Sequence, residues 1–352
     1  TVFLHFACAG PKTLQRTAAG KFDTASRQLD DNAASWLGFA DLVFIDPVGT
    51  GFSHLIKPKP KEDDGKKSAE SEEDKNPYWA TKKDLDSIGQ FMRRFLRQHK
   101  LWRRPLYYAG ESYGGYRACR LAKLLNKEYG LGMAGIISIS PIWQFRDAAG
   151  SDYSTAEWIN ILPSYAAIAH HHGINRCFPR KSHAEITDLY DGSLYSLDPF
   201  PHRTNNETAV HESLFQDEHL FQNAVHQWYF ETLGVETPLE YVLLSEEAFK
   251  GWKNDEKKFD LFETASAVDD FRAGMTANPQ QRAMIVHGRF DTVTPYFASK
   301  RILHQANLDE SVKARIEEKL YDGGHMFYSW PNVNARFAED VRTFVSGAET
   351  KS

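Results

Sequence analysis

The stretch from 106 to 125, LYYAGESYGGYRACRLAKLL, limits the possible folds more than any other part of this chain. Leu106–Ala109 is an apolar, strand-like run that breaks at Gly110. A helical pattern starts near Tyr116 and carries Leu121, Leu124 and Leu125. Between the two stands Ser112, flanked by Gly110 and Gly114 in the pattern G-x-S-x-G. A serine there can be an ordinary polar turn residue. It can also be a nucleophile held on a strained strand-to-helix turn, where small neighbours let the backbone pass closely. The first N–H groups of the following helix would face the same point and suit a developing negative charge. The flanking strand and helix supply the context that this second reading requires, and Ser112 is the candidate nucleophile.

A chain of 352 residues can hold one large domain, or a core with an inserted cap. Its formal net charge of −5 gives no electrostatic case for nucleic acid or an anionic membrane surface. The longest apolar runs, AGIISIS and AMIVH, are strand-sized and too short for a membrane span. The three cysteines, Cys8, Cys119 and Cys177, form no C-x-x-C pair and allow at most one internal disulfide. The chain opens on TVFLHFACAG without a start methionine, so the lack of a visible leader carries no weight. One sequon, Asn206-Glu207-Thr208, is too short a motif to fix the compartment.

Several segments predict an alternating order of strands and helices. DLVFIDPVG (41–49) reads as a buried strand. Residues 57–77 are charged and empty of large apolar side chains, which predicts a mobile surface loop. Residues 81–99 carry Leu85, Ile88, Phe91, Met92, Phe95 and Leu96 at helical spacing. Strands are expected at 134–142, 282–291 and 316–324, and a final helix at 334–347. Residues 145–275 look helical and irregular, with the clearest helices at AEWINILPSYAAIAHHHG and HLFQNAVHQWYFETLG. This order predicts an α/β fold with a mostly parallel sheet, its core in 1–144 and 276–352, and a helical cap in 145–275.

A serine hydroxyl needs a base, usually His, and that His needs an acceptor to fix its tautomer. On a serine elbow these partners follow in chain order, acid and then His, on loops after later strands. Asp291 follows the strand AMIVHGRF, and His325 follows EEKLYDGG. Both stand just beyond strand ends, where open parallel sheets place their chemistry. Any one of the 14 histidines is weak evidence by itself. The run His170–His172 invites a metal reading, but consecutive helical side chains point apart. His287, inside a strand, reads as structural. Asp291 alone could be a turn-capping residue. Order and context together give the candidate triad Ser112, Asp291 and His325, which calls for no metal and no cofactor.

GESYGG (110–115), DPVGTGFS (46–53), GRFDTVTP (288–295) and GGHMFY (323–328) resemble the serine carboxypeptidases of the α/β-hydrolase fold, and the match is close to their bacterial branch. The resemblance runs nearly the length of the chain and includes LPSYAAIAHHHG in the cap. It implies removal of C-terminal residues from peptides that carry a free carboxylate, and it favours a periplasmic or secreted setting. It makes Ser112 the attacking group, His325 the base and then the acid, and Asp291 the support for the imidazolium. The Tyr113 N–H becomes one oxyanion donor. Glu111 is implied to bind the substrate carboxylate, which two carboxyl groups can do only by sharing a proton. Met326 is implied to line the pocket for the departing residue.

The family also carries a glycine-rich N-G-G-P-G-S-S stretch shortly before a segment resembling VFLHFACAGPK. The resemblance therefore expects a second oxyanion donor, and the first strands of the sheet, in a segment upstream of Thr1, a possible partner from the same precursor. By pattern alone residues 1–7 read as a strand; the resemblance makes them a helix. Two further readings stand beside the exopeptidase. One is an esterase or acyltransferase on the same scaffold. The other is a catalytically impaired form that lacks the glycine-rich loop.

Overall fold

The computed structural model describes residues 2–14, 22, 29–56, 76–145, 155–173, 218–253 and 266–349. The chain opens with helix α1 (Val2–Leu4), which continues in wider turns through His5–Ala9. The helix expected from the resemblance is therefore present, and Phe6, Ala7 and Cys8 are fully buried. Two short antiparallel strands follow, β1 (Lys12–Thr13) and β2 (Asp30–Asp31).

The central feature is a four-stranded parallel sheet. Its strands are β3 (Tyr107–Glu111), β4 (Gly135–Ile139), β5 (Arg282–Gly288) and β6 (Ile316–Tyr321), in that spatial order. Parallel strands need crossovers, and the crossover helices cover both faces, so inner strands read as continuous apolar runs. GIISI of β4 is buried at every position. Alternate residues divide between the two faces, as a pleat requires. Ile136, Ala283 and Ile285 join one core cluster; Ile137, Ile139, Met284 and Val286 join the other. In β6 the charged Glu317, Glu318 and Lys319 interrupt the apolar pattern, which suits a strand at the rim of the described sheet.

Helices α2 (Thr81–Gln98), α3 (Tyr113–Leu124), α4 (Thr155–His171), α5 (Glu218–Val225), α6 (Glu246–Gly251), α7 (Val268–Ala277), α8 (Tyr296–Gln305), α9 (Glu310–Lys313) and α10 (Pro331–Glu349) complete the described elements. Leu85, Ile88 and Met92 of α2 pack with Tyr116 and Leu121 of α3, Phe271 and Met275 of α7 and Ile302 of α8 on one side of the sheet. Phe337, Val341 and Phe344 of α10 cover the other side with Phe6 and Trp36. Each such side chain contributes about 1.5–3 kcal/mol by leaving water. Phe91, counted above on the apolar face of α2, is instead 40% exposed. No strand forms in the described part of 145–275, which is helical apart from isolated bridges and turns.

The segment 41–49 corrects one expectation: it joins no strand ladder among the described residues. A strand exists by pairing, and here the apolar side chains serve a different purpose. Leu42 and Phe44 pack on one core cluster and Ile45 on the other, while Val43 is 47% exposed. The chain then turns at Pro47–Ser53 and pairs Gly51 with Val242. Most of 57–77, together with Cys177 and the sequon at Asn206, lies outside the described residues.

Candidate active site

Ser112 stands between the last residue of β3 and the first of α3, with φ 56° and ψ −116°. A non-glycine residue there carries strain of about 1–3 kcal/mol. The surroundings hold it in place. Its N–H donates to Ile139 O at 2.9 Å, and its C=O accepts from Gly115 N at 2.9 Å. Helix α3 starts at Tyr113 rather than Tyr116, because the turn itself launches it.

Two glycines make the turn possible, and only one belongs to the expected pair. A Cβ on Gly110 would lie 2.1 Å from Gly114 O, and one on Gly115 would lie 2.5 Å from Pro141 Cβ. A Cβ on Gly114 would meet nothing within 4 Å. Backbone cannot yield to a methyl group as a flexible side chain can. Gly110→Ala is therefore expected to lose about 1–3 kcal/mol or more of stability. Gly114→Ala, inside a helix, should change stability by about 1 kcal/mol or less. Denaturant unfolding of the two variants checks the contrast.

Asp291 follows β5 and His325 follows β6, as expected from the sequence. The sheet order puts both at the carboxyl edge that also carries Ser112. His325 Nδ1 lies 2.8 Å from Asp291 Oδ2. Asp291 is fully buried, and the His325 side chain is 17% exposed. Asp291 Oδ1 accepts from Val293 N at 2.8 Å and Thr294 N at 3.0 Å. The Thr294 hydroxyl lies 2.8 Å from both Asp291 Oδ2 and Ser140 O, and its single proton can serve one at a time. Ser140 Oγ donates to His325 O at 2.9 Å, which ties the loop after β4 to the loop after β6. Among the described residues no hydrogen bond joins Ser112 Oγ to His325. In substrate-free sites such contacts are often long.

The electrostatics follow from these contacts. Burial pushes the Asp291 carboxyl up, but the neighbouring His325 and the Thr294 N–H outweigh it and hold the group below the usual carboxylate range. Burial pulls His325 down, but the Asp291 carboxylate outweighs it, Glu111 adds to the effect, and the imidazole is raised to about 9. Glu111 is partly buried next to Ser112. Burial raises its carboxyl, opposed in part by His325 and by the Tyr328 hydroxyl that donates to Oε1 at 2.5 Å.

Tyr113 opens α3, so its N–H has no acceptor within the helix. Its ring lies 4.6 Å from the guanidinium carbon of Arg117, which is held by Asp84 at 2.6 and 3.0 Å. That platform steadies the start of the helix. Met326, directly after His325, is partly buried against the α10 side of the core. His287 is buried with Nε2 2.8 Å from Ser299 Oγ, in keeping with a structural residue. Among the described residues no group of three or more His, Cys, Asp or Glu could hold a metal. None of the helices described is long and apolar enough to cross a membrane. Cys8 and Cys119 are free and buried.

Sequence reasoning missed Ser140, Thr294 and Tyr328. The last two stand inside the quoted motifs GRFDTVTP and GGHMFY, but only the folded chain shows that Thr294 reaches Asp291 and Tyr328 reaches Glu111.

A parallel sheet flanked by helices, with a serine elbow at its carboxyl edge, is the α/β-hydrolase fold. KEX1(delta)p, a prohormone-processing carboxypeptidase from Saccharomyces cerevisiae, has a solved structure that overlays 98% of this chain and 80% of its own, with a TM-score of 0.57 at 10% identity. Residues 10–131, about a third of the chain, match the family model described as serine carboxypeptidase. The pheromone-processing carboxypeptidase KEX1 of Verticillium alfalfae is 33% identical over 110 residues, which is 30% of this chain and 14% of that protein. The family match includes Glu111–Gly115 but ends well before Asp291 and His325.

Proposed function

We propose that this chain is a serine-type exopeptidase that removes C-terminal residues from peptides, with residues 145–275 acting as a cap over the site. The observation that carries the reading is the convergence at one sheet edge of the Ser112 turn, the bonded Asp291–His325 pair and the carboxyl of Glu111. Ser112 Oγ attacks the last peptide carbonyl while His325 Nε2 takes its proton. The Tyr113 N–H steadies the oxyanion. His325 then protonates the leaving amine, and water releases the acyl group by the same steps in reverse. Asp291 keeps Nδ1 protonated, so that Nε2 is free to accept. Protonated Glu111 shares its hydrogen with the substrate carboxylate, and Met326 lines the space for the departing side chain.

A carboxyl raised by burial fits this role, because a neutral Glu111 can receive a carboxylate and an anionic one repels it. A neutral ester has no use for it. An N-blocked dipeptide, its C-terminal amide and a p-nitrophenyl ester, compared side by side, test the reading. The free acid should be the best substrate. Preference for the ester, with no gain from a free carboxylate, would favour the esterase alternative.

Glu111→Gln keeps the shape and removes the titration. Hydrolysis of free-acid peptides should lose part of its fall with rising pH. Because the Glu111 anion helps raise His325, its removal should also lower the imidazole pKa. The acid limb of kcat/KM for an ester substrate, which reports the free enzyme, should then move to lower pH. Profiles identical to wild type would remove Glu111 from the site.

A further inference from the structure

Tyr328 is fully buried, and its hydroxyl donates to Glu111 Oε1 at 2.5 Å, the short range of a charge-assisted O–H···O bond. The two residues are 217 positions apart, so the contact is made only by the fold. Tyr328 sits in a single 3₁₀ turn (Phe327–Ser329) directly after His325 and Met326, and this turn is closed by Ser329 N on Met326 O at 2.9 Å. Ring packing fixes the turn. Phe327 stacks on Tyr321 at 4.8 Å and meets Tyr328 edge-on at 5.6 Å. The hydroxyl therefore approaches Glu111 from a rigid wall. Among the described residues Glu111 Oε2 has no hydrogen-bond partner, which leaves that oxygen for a ligand.

We propose that Tyr328 is a positioning residue that pins one oxygen of Glu111, presents the other to the substrate carboxylate, and sets the pH at which the site stops accepting it. The inference rests on the exopeptidase reading of Glu111 and adds the group that tunes it. The sign follows from the donor. A hydroxyl that donates to a carboxylate favours the anion, so Tyr328 holds the Glu111 titration lower than burial alone would. Among the described residues the other charged groups facing Glu111 are His325, whose positive charge acts in the same sense, and Asp291, whose negative charge opposes it. Cys8 also lies near, but burial pushes its thiol up and leaves it neutral. Tyr328 therefore trades working range for aim. It narrows the pH window of carboxylate capture while it fixes the carboxyl that does the capturing.

The experiment uses Tyr328→Phe, which keeps the buried ring and removes only the hydroxyl. The Glu111 titration is read by carboxyl-carbon NMR in wild type and variant, with Glu111→Gln to assign the signal. The pH dependence of kcat/KM is read for an N-blocked free-acid dipeptide and for a p-nitrophenyl ester. The NMR midpoint should rise by about one pH unit in Tyr328→Phe, as expected for loss of a hydrogen bond to a charged group. The alkaline limb for the free-acid peptide should move up by the same amount, and the ester profile should keep its alkaline limb. An unmoved NMR midpoint, or a uniform loss of rate on both substrates without a shifted limb, overturns the proposal. If wild type hydrolyses no free-acid peptide at all, the exopeptidase reading fails, and the NMR midpoint still decides whether Tyr328 governs Glu111.

Discussion

Ser112→Ala is expected to lower kcat by about 10⁶, the usual cost of removing a triad nucleophile. The fold should survive, because the turn is held by backbone bonds from Ser112 N to Ile139 O and from Gly115 N to Ser112 O, not by the hydroxyl. Alanine keeps a Cβ and tolerates φ 56° no better than serine, so the strain remains and stability should change little. Substrate affinity should be retained, since the groups proposed to hold the peptide are untouched. Kinetics with an active-site serine reagent as control check both halves. The wild type should be labelled at Ser112 and the variant not at all. Full activity in the variant would mean that the elbow is only a turn.

Asp291→Asn should cost about 10⁴ in kcat, by forcing the wrong tautomer of the base. The geometry states why. Asp291 Oδ1 accepts two backbone N–H bonds, from Val293 and Thr294, and an asparagine oxygen would keep them. The amide NH₂ then falls where Oδ2 stood, 2.8 Å from His325 Nδ1. A donor there turns Nδ1 into the acceptor and moves the imidazole proton to Nε2, which can no longer take one from serine. The carboxylate that raises His325 to about 9 disappears as well, so the imidazole should titrate lower. Proton NMR of the ring and steady-state rates give the two readouts. A rate within tenfold of wild type would show that Asp291 caps its loop and nothing more.

Much of this site could be read from the sequence because it is built from local patterns. A serine between an apolar strand and an amphipathic helix needs no distant information. Nor does an Asp or a His one turn beyond a buried strand. β4 and β5 were legible for the same reason: strands buried on both faces carry near-continuous apolar runs, here GII and AMIV. The pattern misled at 41–49, where an equally apolar run packs on the cores without pairing. Periodicity reports burial, and pairing is a separate fact. The G-x-S-x-G spacing pointed to Gly114, whereas the close approach belongs to Gly115, which faces Pro141 across the sheet edge. Residues that act through distant contacts were not legible. Ser140 reaches His325 and Tyr328 reaches Glu111 only once four parallel strands have brought their loops together.

The central claim is that Ser112 carries off everything but the last residue of a peptide. Wild type mixed with an N-blocked dipeptide, quenched in acid within the first turnovers and digested for mass spectrometry, tests it most directly. The account predicts an adduct on the peptide containing Ser112, with the mass of the blocked acyl residue alone, and free C-terminal amino acid in solution. Peptide hydrolysis with no adduct on Ser112 under conditions that trap acyl-enzymes, or an adduct on another residue, would contradict it.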